Sequence, residues 1–170
     1  MIRFLEYLAV FLLLVVLQEF VFDNINLGGV VNPYIYIMFI IMLPLDTPGW
    51  MLLLLGFGTG AAVDFMSGTP GLQAVSSTWL AFVRPTVVGL LLGKDLVYEG
   101  GIPTAGRVGT GKFLRYAAMM VLLFNIPFFI LEDLSGGGGI IALRIALSSV
   151  FSVGIIYFLH LPFVHTQLKV

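Results

Sequence analysis

The sequence predicts an all-α, polytopic membrane protein: one transmembrane domain over residues 1–170, crossing the bilayer with six helices. Three observations lead there. Hydrophobic residues make up 59% of the 170-residue chain, and the mean hydropathy is +1.08. Charged residues are only 10%, against about 25% in a soluble domain. The apolar residues fall in long runs separated by turn signals, not in short amphipathic stretches. A soluble domain of this size lacks the interior to hide so much apolar surface. The net charge of −1 gives no case for a nucleic-acid partner, and with no cysteine there is no disulfide, thiolate metal site or cysteine nucleophile.

The six helices are placed by allowing about 20 residues per crossing. The first covers about 4–22. Arg3 ahead of the apolar run resembles a signal peptide, but Gln18-Glu19-Phe20 follows with no small-x-small cleavage site, so the helix is read as retained. Asp23-Asn24 and Gly28-Gly29 form a turn region. Pro33 opens the second helix, about 33–45, which is short. Asp46-Thr47-Pro48-Gly49 turns the chain into the third helix, about 50–66, and Ser67-Gly68-Thr69-Pro70-Gly71 turns it again. The fourth helix is about 72–92 and the fifth about 113–131. A connector with four consecutive glycines, Gly136 to Gly139, leads to the sixth, about 140–161.

Cation placement fixes the expected orientation. Arg3, Lys94, Arg107, Lys112, Arg115 and Lys169 all fall on one side of a six-span chain, together with both termini. The opposite loops, 23–32, 67–71 and 132–139, carry none. By the positive-inside rule both termini are expected in the cytoplasm.

The third helix carries the most informative pattern. Gly56, Gly60, Asp64 and Gly68 recur every four residues and share a helix face. Such a row admits close approach of another backbone, within the bundle or from a partner protein. A carboxylate at membrane depth is a functional-site candidate, with a structural ion pair as the plainer reading. Asp64 and Arg144 each lie about one turn from the same membrane face, so they are the expected pair. Arg84 lies deeper, ahead of Pro85, which leaves the carbonyl of Ala81 without its helical donor. Its plainer role is to satisfy freed carbonyls or to snorkel. Its sharper role is an ion pair or a partner contact, and Asn125 is also within reach. Ala142, Ala146 and Ser149, with Ser148 and Ser152 beside them, form a second small-residue row suited to internal packing or to an interface.

Other motifs carry less. Gly106 to Phe113, G-R-V-G-T-G-K-F, fits the front of a phosphate-binding loop. Phe113 stands where the magnesium-binding hydroxyl belongs, no strand precedes it and an apolar span follows, so it reads as a flexible connector. His160 and His165 are five apart with no third ligand. No nucleophile, base or metal cluster assembles, so no enzyme activity and no cofactor are expected.

Several of these residues resemble the MreD family, the small integral membrane subunit of the bacterial rod-shape (elongation) machinery. The resemblance runs from Gln18 to Pro85: Gln18, Asn32-Pro33-Tyr34, the L-P-L-D-T-P-G-W turn, G-F-G-T-G-A-A-V-D-F-M-S-G-T-P-G-L-Q-A, and Arg84-Pro85. Beyond Gly93 it holds only in general shape. It implies a non-enzymatic scaffold that partners the single-span protein MreC and, through it, the actin-like MreB, the glycosyltransferase RodA and a class B transpeptidase. It also implies a helical fold like that of the substrate-binding subunit of energy-coupling-factor vitamin transporters. Such a subunit is the alternative function. It would dock through an Ala-x3-Ala stripe in the first helix, which here holds a single alanine, Ala9. A small transporter with an Asp64–Arg84 relay is a third reading, and no internal repeat supports it.

Overall fold

Where the sequence predicts its second helix, the chain is largely not helical. The computed structural model describes residues 2–18, 20, 32–133 and 138–167, with side chains at 9, 11–18, 20, 32–133 and 138–159. Its elements are α1 (Ile2–Leu17), α2 (Met38–Ile41), α3 (Gly49–Ser67), α4 (Leu72–Leu91), α5 (Lys94–Glu99), α6 (Ala105–Val108), α7 (Thr110–Glu132) and α8 (Gly138–Gln167). Among the described residues there is no strand. Four helices, α3, α4, α7 and α8, are long and apolar enough to cross a membrane. The chain is therefore an all-helical membrane protein. The described part of α1 has 16 residues, and residues 19, 21 and 22 of the expected first helix lie outside the described residues. α8 continues through Pro162, beyond the expected end near 161.

The segment 33–45 departs from expectation for a reason of length. Thirteen residues of α-helix rise about 20 Å, short of the roughly 30 Å hydrocarbon core. An extended backbone covers about 3.3 Å per residue. Pro33 biases Asn32 away from the helical region, and the chain is non-helical from 32 to 35 before it turns at Tyr36-Ile37, where Ile37 already has helical backbone angles. Only Met38–Ile41 closes into one helical turn. The segment is nevertheless the centre of the core: Ile35, Ile37, Ile40 and Ile41 are each 0% exposed. The Tyr34 ring packs at 4.7 Å from Phe128 and 5.3 Å from Phe124 of α7. Phe39 meets Phe11 of α1 at 5.4 Å.

Around it, α3 packs on α4, α4 on α7 and α7 on α8, each pair antiparallel. The α3–α4 pairing is the closest. A Cβ placed on Gly56 would lie 2.6 Å from the Ala81 Cβ, and one on Gly60 would lie 2.6 Å from the Ala74 Cα. The glycine row is thus consumed inside the bundle, against α4. Gly68 belongs to a different device. It ends α3 with φ +68, its N–H bonded to the Asp64 carbonyl, and nothing lies within 4 Å of its missing Cβ. Glycine there answers the left-handed backbone, not packing.

At the opposite end the connector 93–109 is ordered over the end of the buried segment. Leu45 N–H donates to the Gly101 carbonyl (2.8 Å), and Gly101 N–H donates to Asp46 Oδ1 (3.3 Å). Arg107 donates to the Gly100 carbonyl and pairs with Glu99 at 3.3 Å.

The glycines of α3 give a sharp comparison. Gly60→Ala should lower stability by about 2 kcal/mol, because a methyl group is forced into backbone that cannot retreat. Gly58→Ala, where nothing lies within 4 Å, should leave stability unchanged or raise it by up to about 1 kcal/mol. Reversible unfolding in mixed micelles measures both, and equal effects at the two positions would contradict the packing described.

Candidate functional site

The buried polar side chains converge on one task. A non-helical backbone inside hydrocarbon must find hydrogen-bond partners within the protein, and the segment 32–45 takes them from four helices. From α8, Ser148 Oγ accepts the Asn32 N–H and Ser152 Oγ accepts the Tyr34 N–H, both at 3.1 Å. Gln18, just past α1, accepts the Ile35 N–H at Oε1 (2.7 Å) and donates from Nε2 to the Pro33 carbonyl (3.2 Å). Its amide thereby substitutes for a neighbouring strand. From α4, Arg84 Nη2 donates to the Leu43 carbonyl and, at 3.5 Å, to the Ile41 carbonyl. From α7, the Tyr116 hydroxyl donates to the Ile41 carbonyl and accepts from Arg84 Nε, both at 3.1 Å. The Tyr36 side chain is tied in as well, with its hydroxyl 2.8 Å from both Gln73 Oε1 and Ser77 Oγ of α4.

Arg84 is therefore a clamp on carbonyls. It is 1% exposed, and among the described residues the ion pairs are Arg107–Glu99 and Arg144–Glu132 alone. The role of satisfying carbonyls falls to it, but the carbonyls are those of Ile41 and Leu43, not the one that Pro85 frees. Asn125 does not meet Arg84. Its Nδ2 donates to Ser149 Oγ at 2.8 Å, and its Oδ1 has no protein partner.

The expected Asp64–Arg144 pair does not form. Asp64, 7% exposed, takes the Thr69 hydroxyl and the Gln73 N–H (3.1 Å) on Oδ1, and the Ala74 N–H (2.8 Å) on Oδ2. Its carboxylate caps the free N–H groups that open α4, where the helix dipole also favours negative charge. Arg144 pairs instead with Glu132 across the α7–α8 turn at 2.9 Å and lies over the Phe129 ring, 4.8 Å from its centroid. Position along a helix axis does not set which neighbour a side chain faces. Asp64 sits on α3 against α4, and Arg144 on α8 against α7, with two helices between them in the packing order.

The second small-residue row divides. Ser148, Ser149 and Ser152 are buried at 0%, 5% and 0% exposure, whereas Ala142 and Ala146 face outward. In the G-R-V-G-T-G-K-F stretch, Phe113 is 0% exposed and packs with Ala105 and Ala117, so the position a phosphate-binding loop needs for a hydroxyl is filled by core. His160 and His165 lie outside the described side chains. Among the described residues no three His, Cys, Asp or Glu side chains come together to hold a metal.

Comparison with known proteins found no family model, no characterised protein and no solved structure that matches the chain.

Two measurements test this assignment of the buried polar groups. Arg84→Met strands the buried Leu43 carbonyl, leaves that of Ile41 to Tyr116 alone and should cost about 3 kcal/mol, and Tyr116→Phe about 1 kcal/mol; Arg84→Lys should recover little, because an ammonium cannot reach both carbonyls and the phenol in one plane. Exchanging charges, Asp64→Arg with Arg144→Asp, should be at least as damaging as the two single changes summed, since each residue has its own partners. Recovery in the exchanged protein would restore the direct pair.

Proposed function

We propose that this chain is a non-enzymatic scaffold subunit of the bacterial cell-elongation machinery, similar to MreD, that holds an MreC-like single-span protein in the inner membrane. Through that partner it would act on an MreB-like filament, a RodA-type glycosyltransferase and a class B transpeptidase. The observation that carries the reading is the outer face of α8. Gly138, Ala142, Ala146, Val150 and Gly154 recur every four residues, and all five are exposed. No atom lies within 4 Å of the missing Cβ of Gly138 or Gly154. A row that is small at four of its five positions, Val150 being the exception, suits a helix from another chain, because association in lipid depends on close van der Waals approach. The interior supports the same reading. Gln18, Arg84, Tyr116, Ser148 and Ser152 are occupied with the chain's own backbone, which is what a rigid scaffold needs. The loop 93–109 carries Lys94 and Arg107, and Lys112 and Arg115 open α7 beside it. Under the positive-inside rule this end faces the cytoplasm, with both termini.

The test is the double substitution Ala146→Leu/Gly154→Leu in a rod-shaped host that carries the chain. Leucine favours lipid and meets no neighbour, so insertion and stability should hold. Co-purification with the single-span partner should fall at least about tenfold, the effect of roughly 1.4 kcal/mol lost at a close helix crossing, and cells should round. Unchanged shape in both this variant and a full deletion would reject the reading. Loss of vitamin uptake with unchanged shape would favour a transporter substrate-binding subunit.

A further inference from the structure

A lateral groove of about 550 Å³ lies between α1 and α3, floored by the segment 39–44. Its walls include Phe11, Phe39, Met51, Leu54, Gly58 and Ala62, and Asp46 stands at one end. From Met51 to Ala62 the helix rises about 16 Å, close to the roughly 15 Å depth of hydrocarbon in one leaflet. The volume decides what can enter. A helix about 10 Å wide over that length occupies more than about 1,200 Å³, over twice the space present. A single acyl chain is slender enough to lie in it. Gly58 leaves the groove open at its middle: nothing lies within 4 Å of its missing Cβ, so the fold itself does not require glycine there.

The charge at the mouth selects the headgroup. Asp46 is exposed, accepts the Gly101 N–H and takes part in no ion pair. Among the described residues no Lys or Arg lines the groove. At Asp46 itself a headgroup cation is therefore attracted and an anion repelled, while the cations of this end, Lys94 and Arg107, lie outside the groove lining. An ammonium that can donate hydrogen bonds suits a carboxylate better than a quaternary amine, which has none to give. Of the chain's other described acids near this end, Glu99 is held by Arg107 and Asp95 lies on α5, outside the groove lining. We propose that the groove binds one acyl chain of an aminophospholipid, phosphatidylethanolamine in type, with its ammonium on Asp46, in the leaflet that faces the loop 93–109. The site is independent of the scaffold reading.

The experiment uses the full chain in nanodiscs of phosphatidylethanolamine, phosphatidylcholine and phosphatidylglycerol with matched acyl chains, and counts the lipids that remain bound on release by native mass spectrometry. Phosphatidylethanolamine should be retained about fivefold over phosphatidylcholine, the ratio that one interfacial charge contact gives. Asp46→Asn, exposed and isosteric, should keep bound lipid and bring the ratio near one. Gly58→Phe should fill the groove and reduce retained lipid to background with helical content unchanged. Retention of phosphatidylglycerol in preference, no enrichment of any lipid, or a headgroup preference unchanged in Asp46→Asn would each overturn the proposal. The asparagine arm stands alone should the phenylalanine variant fail to insert.

Discussion

Hydrocarbon offers no hydrogen bonds, and a backbone that enters it unwound must bring its own partners. That requirement organises the molecule. Residues 32–45 cross the core of the bundle with a single helical turn, Met38–Ile41, and side chains from around it meet backbone groups ahead of that turn and at its C-terminal end. Gln18 supplies a donor and an acceptor, Ser148 and Ser152 supply acceptors, and Arg84 with Tyr116 supplies donors. Unsatisfied, each such group would cost several kcal/mol in lipid. Gln18, Arg84, Tyr116, Ser148 and Ser152 are therefore positioned by the needs of one segment, while Asp64 serves the start of α4 and Asn125 bonds Ser149.

The same constraint explains why α3 and α4 pack so closely. α4 has to face α3 on one side while presenting Gln73, Ser77 and Arg84 to the segment and to α7 on the other. Gly56 and Gly60 let α3 lie flat on α4 without competing for that inner space. Asp64 then fixes the rotation of the pair, since its two oxygens reach consecutive N–H groups at Gln73 and Ala74. A carboxylate at this depth is stable without a cation because three donors and the start of a helix surround it.

The membrane class, the four long helices and the turns at Gly68 and Gly71 were legible because each leaves a local signal: an apolar run of spanning length, or glycine where φ is positive. Three things were not. The broken course of 33–45, non-helical to Ile35 and then turns around Met38–Ile41, looks like one short helix in the sequence, since Tyr34 to Leu43 is apolar throughout and periodicity alone does not separate the two. The shortfall in length for a crossing helix was the available clue. Which partner Asp64 takes depends on helix order, which periodicity does not encode. The division of the α8 row into inward serines and outward alanines also needed the neighbours. Gln18, Ser148 and Ser152 could have been found by asking where the N–H groups after Pro33 find acceptors.

The position of α8 links the interior to the exterior. Ala146, Val150 and Gly154 look outward, while Ser148 and Ser152 on the same helix hold Asn32 and Tyr34. Both hydroxyls accept at 3.1 Å, near the outer part of the usual range for N–H···O. A helix moves as a rigid rod over a few turns, so displacing α8 by a fraction of an ångström to seat a partner would lengthen both bonds together. The segment has one helical turn, Met38–Ile41, between its anchored ends. Its other anchors, Gln18 on one flank and Arg84 with Tyr116 on another, would have to take up the strain, and Leu45 carries it to Gly101 of the loop 93–109. If α8 is where a partner binds, the buried segment is the mechanical route from that face to the cationic end of the bundle, built from hydrogen bonds that the membrane does not allow to be left open.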